Sequence, residues 1–261
     1  MTKSNEIFNV ETKDLGNGNF LYIIEIEEIE GELKKYIDEK LTSICYGPRN
    51  IDFKTVKKKI LNFLLKKKED EKDLNDNTIV MGAISEFMIH LFLNKINFKQ
   101  EFTFKNLEEG SIKKGFDGYY SLDNNSWILE SKSGSINTKG NSHNSKIKEA
   151  YSGLDKMLKG NTANNPWENA YNHSKVVNSD ESISKKLNQL DINYTNGKFE
   201  DIKNHNIIPA STIIYDDKWN DRNNDFIEEI TNAITKFKFT KIKIICIHKK
   251  SLTNFRKYLE S

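Results

Sequence analysis

Along this chain the spacing of apolar positions alternates between a period of two and a period near 3.6, and those changes divide it into strands and helices. Phe20 to Glu27, rich in β-branched and aromatic residues, predicts a strand, and the preceding Gly16-Asn17-Gly18-Asn19 reads as a turn. Gly31 to Ile37 and Phe53 to Leu65 carry helical spacing. From Thr78 to Asn94 nearly every position is apolar, which predicts a helix buried on most faces, capped by Asp76 or Asn77. The extended segments Phe98 to Phe104, Lys114 to Leu122 and Ser126 to Ser133 follow as a β-meander, the last two joined by Asp123-Asn124-Asn125. Ser145 to Leu158 predicts an amphipathic helix with Ile147, Ala150, Tyr151, Leu154 and Leu158 on one side. Gly160 to Asn178 reads as polar and irregular, before a helix at Ile183 to Leu190. Ile207 to Tyr215 and Lys241 to His248 are strand-length apolar runs flanking a helical Phe226 to Phe237, a strand-helix-strand unit added to the sheet. A short helix from about Leu252 to Tyr258 ends the series.

The basic run Lys66 to Lys68 and the charged stretch Glu69 to Asp76 interrupt the pattern and read as a solvated linker. They divide the chain into an N-terminal α/β extension, residues 1–74, packed on a core of residues 75–261. A length of 261 residues is enough for one elaborated domain with a substantial core. The formal charge of +2 gives no overall basic bias, so any nucleic-acid surface must come from local segregation of charge. Cys45 and Cys246 lie in apolar runs and read as reduced core thiols. The polar start Met1 to Asn9 and the lack of any run near the ~20 apolar residues of a membrane span predict a soluble, cytoplasmic protein with no membrane partner. The histidines and cysteines lack zinc-site spacing, and no glycine-rich loop links a strand to a helix, so ATP chemistry would have to come from a partner.

One hairpin concentrates the chemistry. It reads Gly115-Phe116-Asp117-Gly118-Tyr119-Tyr120, a turn, then Trp127-Ile128-Leu129-Glu130-Ser131-Lys132. Strand alternation puts Glu130 and Lys132 on one face and Leu129 on the other, and pairing across the turn brings Asp117 near the end of the partner strand. Two carboxylates and a lysine at one end of a sheet suit phosphodiester hydrolysis. Mg²⁺, with Mn²⁺ as a substitute, takes one or two carboxylates and keeps its other positions for water and phosphate oxygens. Asp117, Glu130 and the Ser131 backbone carbonyl are the expected metal ligands, and Lys132 the group that orients water or stabilises the transition state. Acid-x-lysine spacing alone is weak, since Glu11-Thr12-Lys13, Glu32-Leu33-Lys34, Asp201-Ile202-Lys203 and Asp216-Asp217-Lys218 also have it. Only Glu130 follows an apolar strand, lies across a turn from Gly-Phe-Asp-Gly and comes after an apolar helix with a lone acid, Glu86.

Glu86, Asp117 and Glu130-Ser131-Lys132 in this order resemble the PD-(D/E)xK nuclease superfamily, with Phe116 where that motif carries proline. The resemblance implies a restriction-endonuclease-like α/β core, a mixed β-sheet flanked by helices, with catalytic Glu86, Asp117, Glu130 and Lys132 cleaving DNA. More narrowly, Gly82-Ala83-Ile84-Ser85-Glu86-Phe87, the hairpin ending Glu130-Ser131-Lys132-Ser133, and Lys148-Glu149-Ala150-Tyr151 resemble HamA, the nuclease-subunit family of the Hachiman antiviral system. That likeness is carried by Gly82 to Leu158 and implies a HamB-like helicase partner that restrains the nuclease until DNA damage or invasion is sensed.

Three neighbours are weighed against plainer roles. His143 reads as a solvated loop histidine, His90 as a core histidine able to pair with Glu86 four residues earlier, and Lys146 as a candidate phosphate contact. The alternatives to a DNA endonuclease are a non-catalytic binding module on the same fold, a restriction nuclease, or an enzyme acting on RNA.

Overall fold

The computed structural model describes residues 7–66, 77–104 and 115–261. The polar start Met1 to Glu6, the charged run Lys67 to Asp76 with the boundary at residues 74/75, the alternative cap Asp76, and Lys114 at the head of the second extended segment lie outside the described residues.

The first hairpin joins β1 (Asn9–Gly16) to β2 (Asn19–Ile26) through Gly16, Asn17 and Gly18, all at positive φ. Helices α1 (Gly31–Tyr46), α2 (Phe53–Lys66) and α3 (Thr78–Lys95) follow. Then come β3 (Lys99–Gln100), β4 (Gly118–Leu122) and β5 (Asn125–Ser135), and the helices α4 (His143–Leu158), α5 (Pro166–Val176) and α6 (Glu181–Thr195). The chain closes with β6 (Asn206–Ile214), α7 (Phe226–Ile234), β7 (Lys241–Lys249) and α8 (Thr253–Glu260).

Among the described residues the strands form one mixed sheet of order β1-β2-β7-β6-β5-β4-β3. Its centre, β2, β7, β6 and β5, is parallel, and β1 on one side and β4-β3 on the other run antiparallel. Parallel strands need both faces covered. One face of the sheet packs on α1, α2, α3 and α8 through residues such as Leu129, Ile208 and Ile247, the other on α4, α5, α6 and α7 through Ile128, Ile207 and Ile244. The helix α3 lies in the first layer with Val80, Met88, Ile89, Leu91 and Leu93 fully buried, and each such side chain contributes about 1.5–3 kcal/mol. Its cap is Asn77, whose side chain accepts from the N–H groups of Ile79 and Val80.

The predicted meander and strand-helix-strand crossover are both present, although β3 has two residues where a longer strand was expected. β1, which the pattern does not announce, is a largely exposed edge strand. α1 continues well past Ile37. The stretch Gly160 to Asn178, read as irregular, contains α5. Pro166 occupies the first turn, where its missing N–H costs nothing, and the Asn165 side chain caps it by accepting from Trp167 and Glu168. β2, from the N-terminal residues, is hydrogen-bonded alongside β7 over seven residue pairs. Cys45 and Cys246 are both buried. No helix among the described residues is long and apolar enough to cross a membrane.

Candidate active site

The β4–β5 hairpin closes through Asp123 and Asn124, both at positive φ, a conformation that suits the twist of the two strands. The ladder runs from Leu122↔Asn125 to Gly118↔Leu129, so Asp117 stands just beyond the last paired residue. Its N–H still donates to the Leu129 carbonyl at 3.0 Å. Its carboxylate Oδ2 accepts two bonds of 2.7 Å, from the N–H and the hydroxyl of Ser131. The N–H and C=O of one strand residue lie on the same edge, so the Ser131 carbonyl also points to the side where β4 has ended and Asp117 sits.

Glu130 and Lys132 face α4, opposite Leu129, as alternation requires. Glu130 is buried at 7% exposure beneath Gly153 of α4, where a Cβ would lie 3.2 Å from its Oε1. The Lys132 ammonium donates to the same oxygen. Burial would lower the Lys132 pKa, but the Glu130 and Asp117 carboxylates outweigh it and the value is raised, so this lysine stays protonated.

Glu86 reaches the hairpin through a histidine. Its side chain, 12% exposed, lies 3.1 Å from His90 Nε2, and His90 Nδ1 meets the Tyr120 hydroxyl. His90 is fully buried, and burial pushes it down to about 4 against the opposing pull of Asp117, so it is neutral at pH 7. Burial, with Asp117, holds the Tyr120 hydroxyl well above its usual range. With Glu86 ionised, one tautomer satisfies both contacts: Tyr120 O–H donates to Nδ1 and Nε2–H donates to Glu86. Gly118 leaves the room this needs, since a Cβ there would stand 2.8 Å from the Tyr120 ring and 3.3 Å from His90 Cε1.

Asp117, Glu130, Ser131 and Lys132 are thus gathered at one end of the hairpin, and Glu86 is linked to them by His90. Lys146 lies on α4 in an ion pair of 3.0 Å with Glu149, which in turn contributes to the field at Lys132. The expectation for His143 is corrected. It is buried at 2% exposure, because α4 begins at residue 143 under a Ser142–Ser145 capping box and presents the ring to β6, where Nδ1 meets the Ser211 hydroxyl at 2.6 Å. Sequence reasoning missed the Ser131 hydroxyl, Tyr120 and Gly153 as parts of this site. His90 did carry a signal, its position one helical turn from Glu86.

The donor set fits a hard dication. Two carboxylates and a strand carbonyl are oxygen ligands of the kind Mg²⁺ takes, and Asp117 and Glu130 against Lys132 leave a formal excess of negative charge at the site, although among the described residues no group of three His, Cys, Asp or Glu side chains is gathered closely enough to hold a metal ion by itself. Fold and site define a mixed α/β protein whose central strands carry an acid-lysine cluster. A family model described as HamA matches residues 2–261, far beyond the segment that carries the resemblance in the sequence. The chain belongs to the HamA family, the Hachiman nuclease subunit, and so to Hachiman antiviral defence. No curated protein was found to match it.

Proposed function

We propose that this chain is a Mg²⁺-dependent DNA endonuclease of the PD-(D/E)xK type, with Mn²⁺ as a substitute, that acts in the bacterial cytoplasm as a defence effector together with a helicase subunit. The observation that carries the reading is the convergence of Asp117 and Glu130 around Ser131, with Lys132 protonated beside them. Asp117, Glu130 and the Ser131 carbonyl would hold the cation, which supplies Lewis-acid stabilisation of charge on the phosphate. Lys132 orients the attacking water and offsets charge developing on the phosphate oxygens. Glu86, aimed by His90 and Tyr120, completes the acidic set. Lys146 contacts the DNA backbone, which requires its pairing with Glu149 to open. Residues 75–261 would form the nuclease core and residues 1–74 an extension packed on it, a reading supported by β2 running beside β7.

The test is degradation of plasmid DNA by the purified chain in Mg²⁺, with and without the helicase subunit. Glu130→Ala and Lys132→Ala should each reduce the rate by at least about a hundredfold, the scale for losing one preorganised electrostatic contact. Unchanged degradation in both variants would sink the assignment. A non-catalytic module is separated by metal binding: Mg²⁺ or Mn²⁺ should raise the melting temperature of the wild-type chain and fail to do so in Asp117→Ala.

A further inference from the structure

A second concavity lies on the same face of the hairpin, towards its turn. It has a volume of about 250 Å³ and is walled by the first residues of β5 and β6 and by α5 and α6. None of Asp117, Glu130, Ser131 and Lys132 is on its wall, and its nearest β5 residue, Ile128, is two residues before Glu130, about 7 Å along the strand at ~3.3 Å per residue, so the cavity adjoins the acid-lysine cluster without including it.

The cavity is lined by buried polar atoms without a hydrogen-bond partner. The Tyr119 hydroxyl, on a side chain only 1% exposed, makes no hydrogen bond of good geometry, its polar neighbour being the Ser126 hydroxyl on the same wall. Asn206 Oδ1 is another. Its amide orientation is fixed because Nδ2 donates to the Ser126 carbonyl at 3.0 Å, which leaves the oxygen as an acceptor. A buried polar atom left without a partner is costly, and it defines what would satisfy it. The ligand must present an acceptor for the Tyr119 O–H and a donor for Asn206 Oδ1. Flanking walls come from Trp167 and His205, whose rings lie 5.6 Å apart and tilted by 33°, and from Ile128 and Leu190. Among the described residues one cation stands at the mouth, Lys186, 3.3 Å from the Ser126 hydroxyl.

We propose that this cavity binds a single nucleobase, reading its edge with Tyr119 and Asn206 and meeting the attached phosphate with Lys186. The volume lies just below the ~300 Å³ lower end of small-molecule pockets, which limits the occupant to one ring system. A purely apolar group would leave Tyr119 and Asn206 unsatisfied, and a small multivalent anion would find one cation at the rim and neutral groups inside. A base has both a donor and an acceptor on one edge and flat faces for ring walls. The same chemistry is available from a free mononucleotide or from an unpaired base in a DNA strand.

The experiment is calorimetric titration of the full chain in EDTA, so that hydrolysis does not intervene. The probes are the four deoxynucleoside 5′-monophosphates, a short single-stranded oligonucleotide containing all four bases, and its abasic counterpart. At least one mononucleotide, or the oligonucleotide but not the abasic strand, should bind saturably at one site per chain. Binding of mononucleotides identifies the free ligand, and binding of the base-containing strand alone identifies an unpaired base. Asn206→Ala should weaken the interaction about tenfold, as expected for one lost buried hydrogen bond, and Lys34→Ala, on α1 in the opposite helical layer, should leave it unchanged. Should Asn206→Ala fail to fold, the surface variant Lys186→Ala decides: nucleotide affinity should fall about threefold for the loss of one exposed charge contact, with nucleoside affinity unaffected. Absence of binding by every probe up to millimolar concentration, or binding indifferent to both substitutions, overturns the proposal.

Discussion

Asp117 is oriented less by its own strand, which has already ended, than by Ser131 across the hairpin, which gives it a backbone and a hydroxyl donor at 2.7 Å each. Removing the hydroxyl takes away one of these two donors, costs about 1 kcal/mol and loosens the orientation of the carboxylate. Ser131→Ala should therefore slow plasmid cleavage in Mg²⁺ about tenfold, and Ser131→Thr, which keeps the hydroxyl on a residue suited to a strand, should restore most of it. A role in stability alone would appear in the melting temperature of Ser131→Ala and leave the cleavage rate in place. Assignment of Asp117, Glu130 and Lys132 to one hairpin was legible because strand alternation and the turn fix their relation. The Ser131 side chain was not legible. Its hydroxyl matters only because the β4–β5 ladder ends at Gly118, one residue short of Asp117, a fact of register rather than of composition.

At the scale of elements, α4 acts as the lid of the site, and Gly153 is what lets it close on Glu130. Alanine at an ordinary helical position improves on glycine by about 0.8–1.0 kcal/mol. Here the added methyl would stand 3.2 Å from Glu130 Oε1 and 3.3 Å from its Cγ, so the gain in helix propensity is set against displacement of the carboxylate. Gly153→Ala should leave the melting temperature within a few degrees and lower the cleavage rate. Gly153→Val should abolish cleavage and also destabilise the chain by about 1–3 kcal/mol through overpacking. Paired thermal melts and plasmid assays on the two variants test both, and full activity in Gly153→Val would refute the packing argument. The elements that could be read from sequence are α3 and the β6-α7-β7 crossover, whose positions are mostly apolar, and the meander, which its Asp123-Asn124 turn announces. β1 was illegible because an edge strand of exposed residues has no apolar face to display, and α5 because Pro166 reads as a breaker until Asn165 is seen to cap it. His143 was misread for a related reason: with the helix start placed at Ser145, it fell in a loop.

For the molecule as a whole, the burial that builds two packed layers also encloses imidazoles that cannot be charged there. His143 and His248 meet face to edge at 4.7 Å between α4 and β7, against Phe226, Tyr215 and Ser211. The charged groups bearing on His248 are Glu25, which raises its pKa, and Arg222, which lowers it. Burial dominates. It pushes His248, like His90, down to about 4 and His143 well below its usual value, where the neighbouring His248 lowers it further. The unfolded chain thus binds protons near pH 6.5 that the folded chain refuses. Stability from these groups is fully present above about 6.5 and is lost as pH falls from there towards about 4. Each proton refused contributes a slope of up to about 1.4 kcal/mol per pH unit. Urea unfolding followed from pH 7.5 to pH 5.5 should show free energy falling steeply below about pH 6.5, a range in which ordinary carboxylates hardly titrate. His248→Asn should reduce the slope between about pH 5.5 and 6 by about one proton, ~1.4 kcal/mol per unit. An identical slope in that variant would mean that His248 is not held neutral by its surroundings, and that the seam between α4 and β7 admits charge as readily as the unfolded chain does.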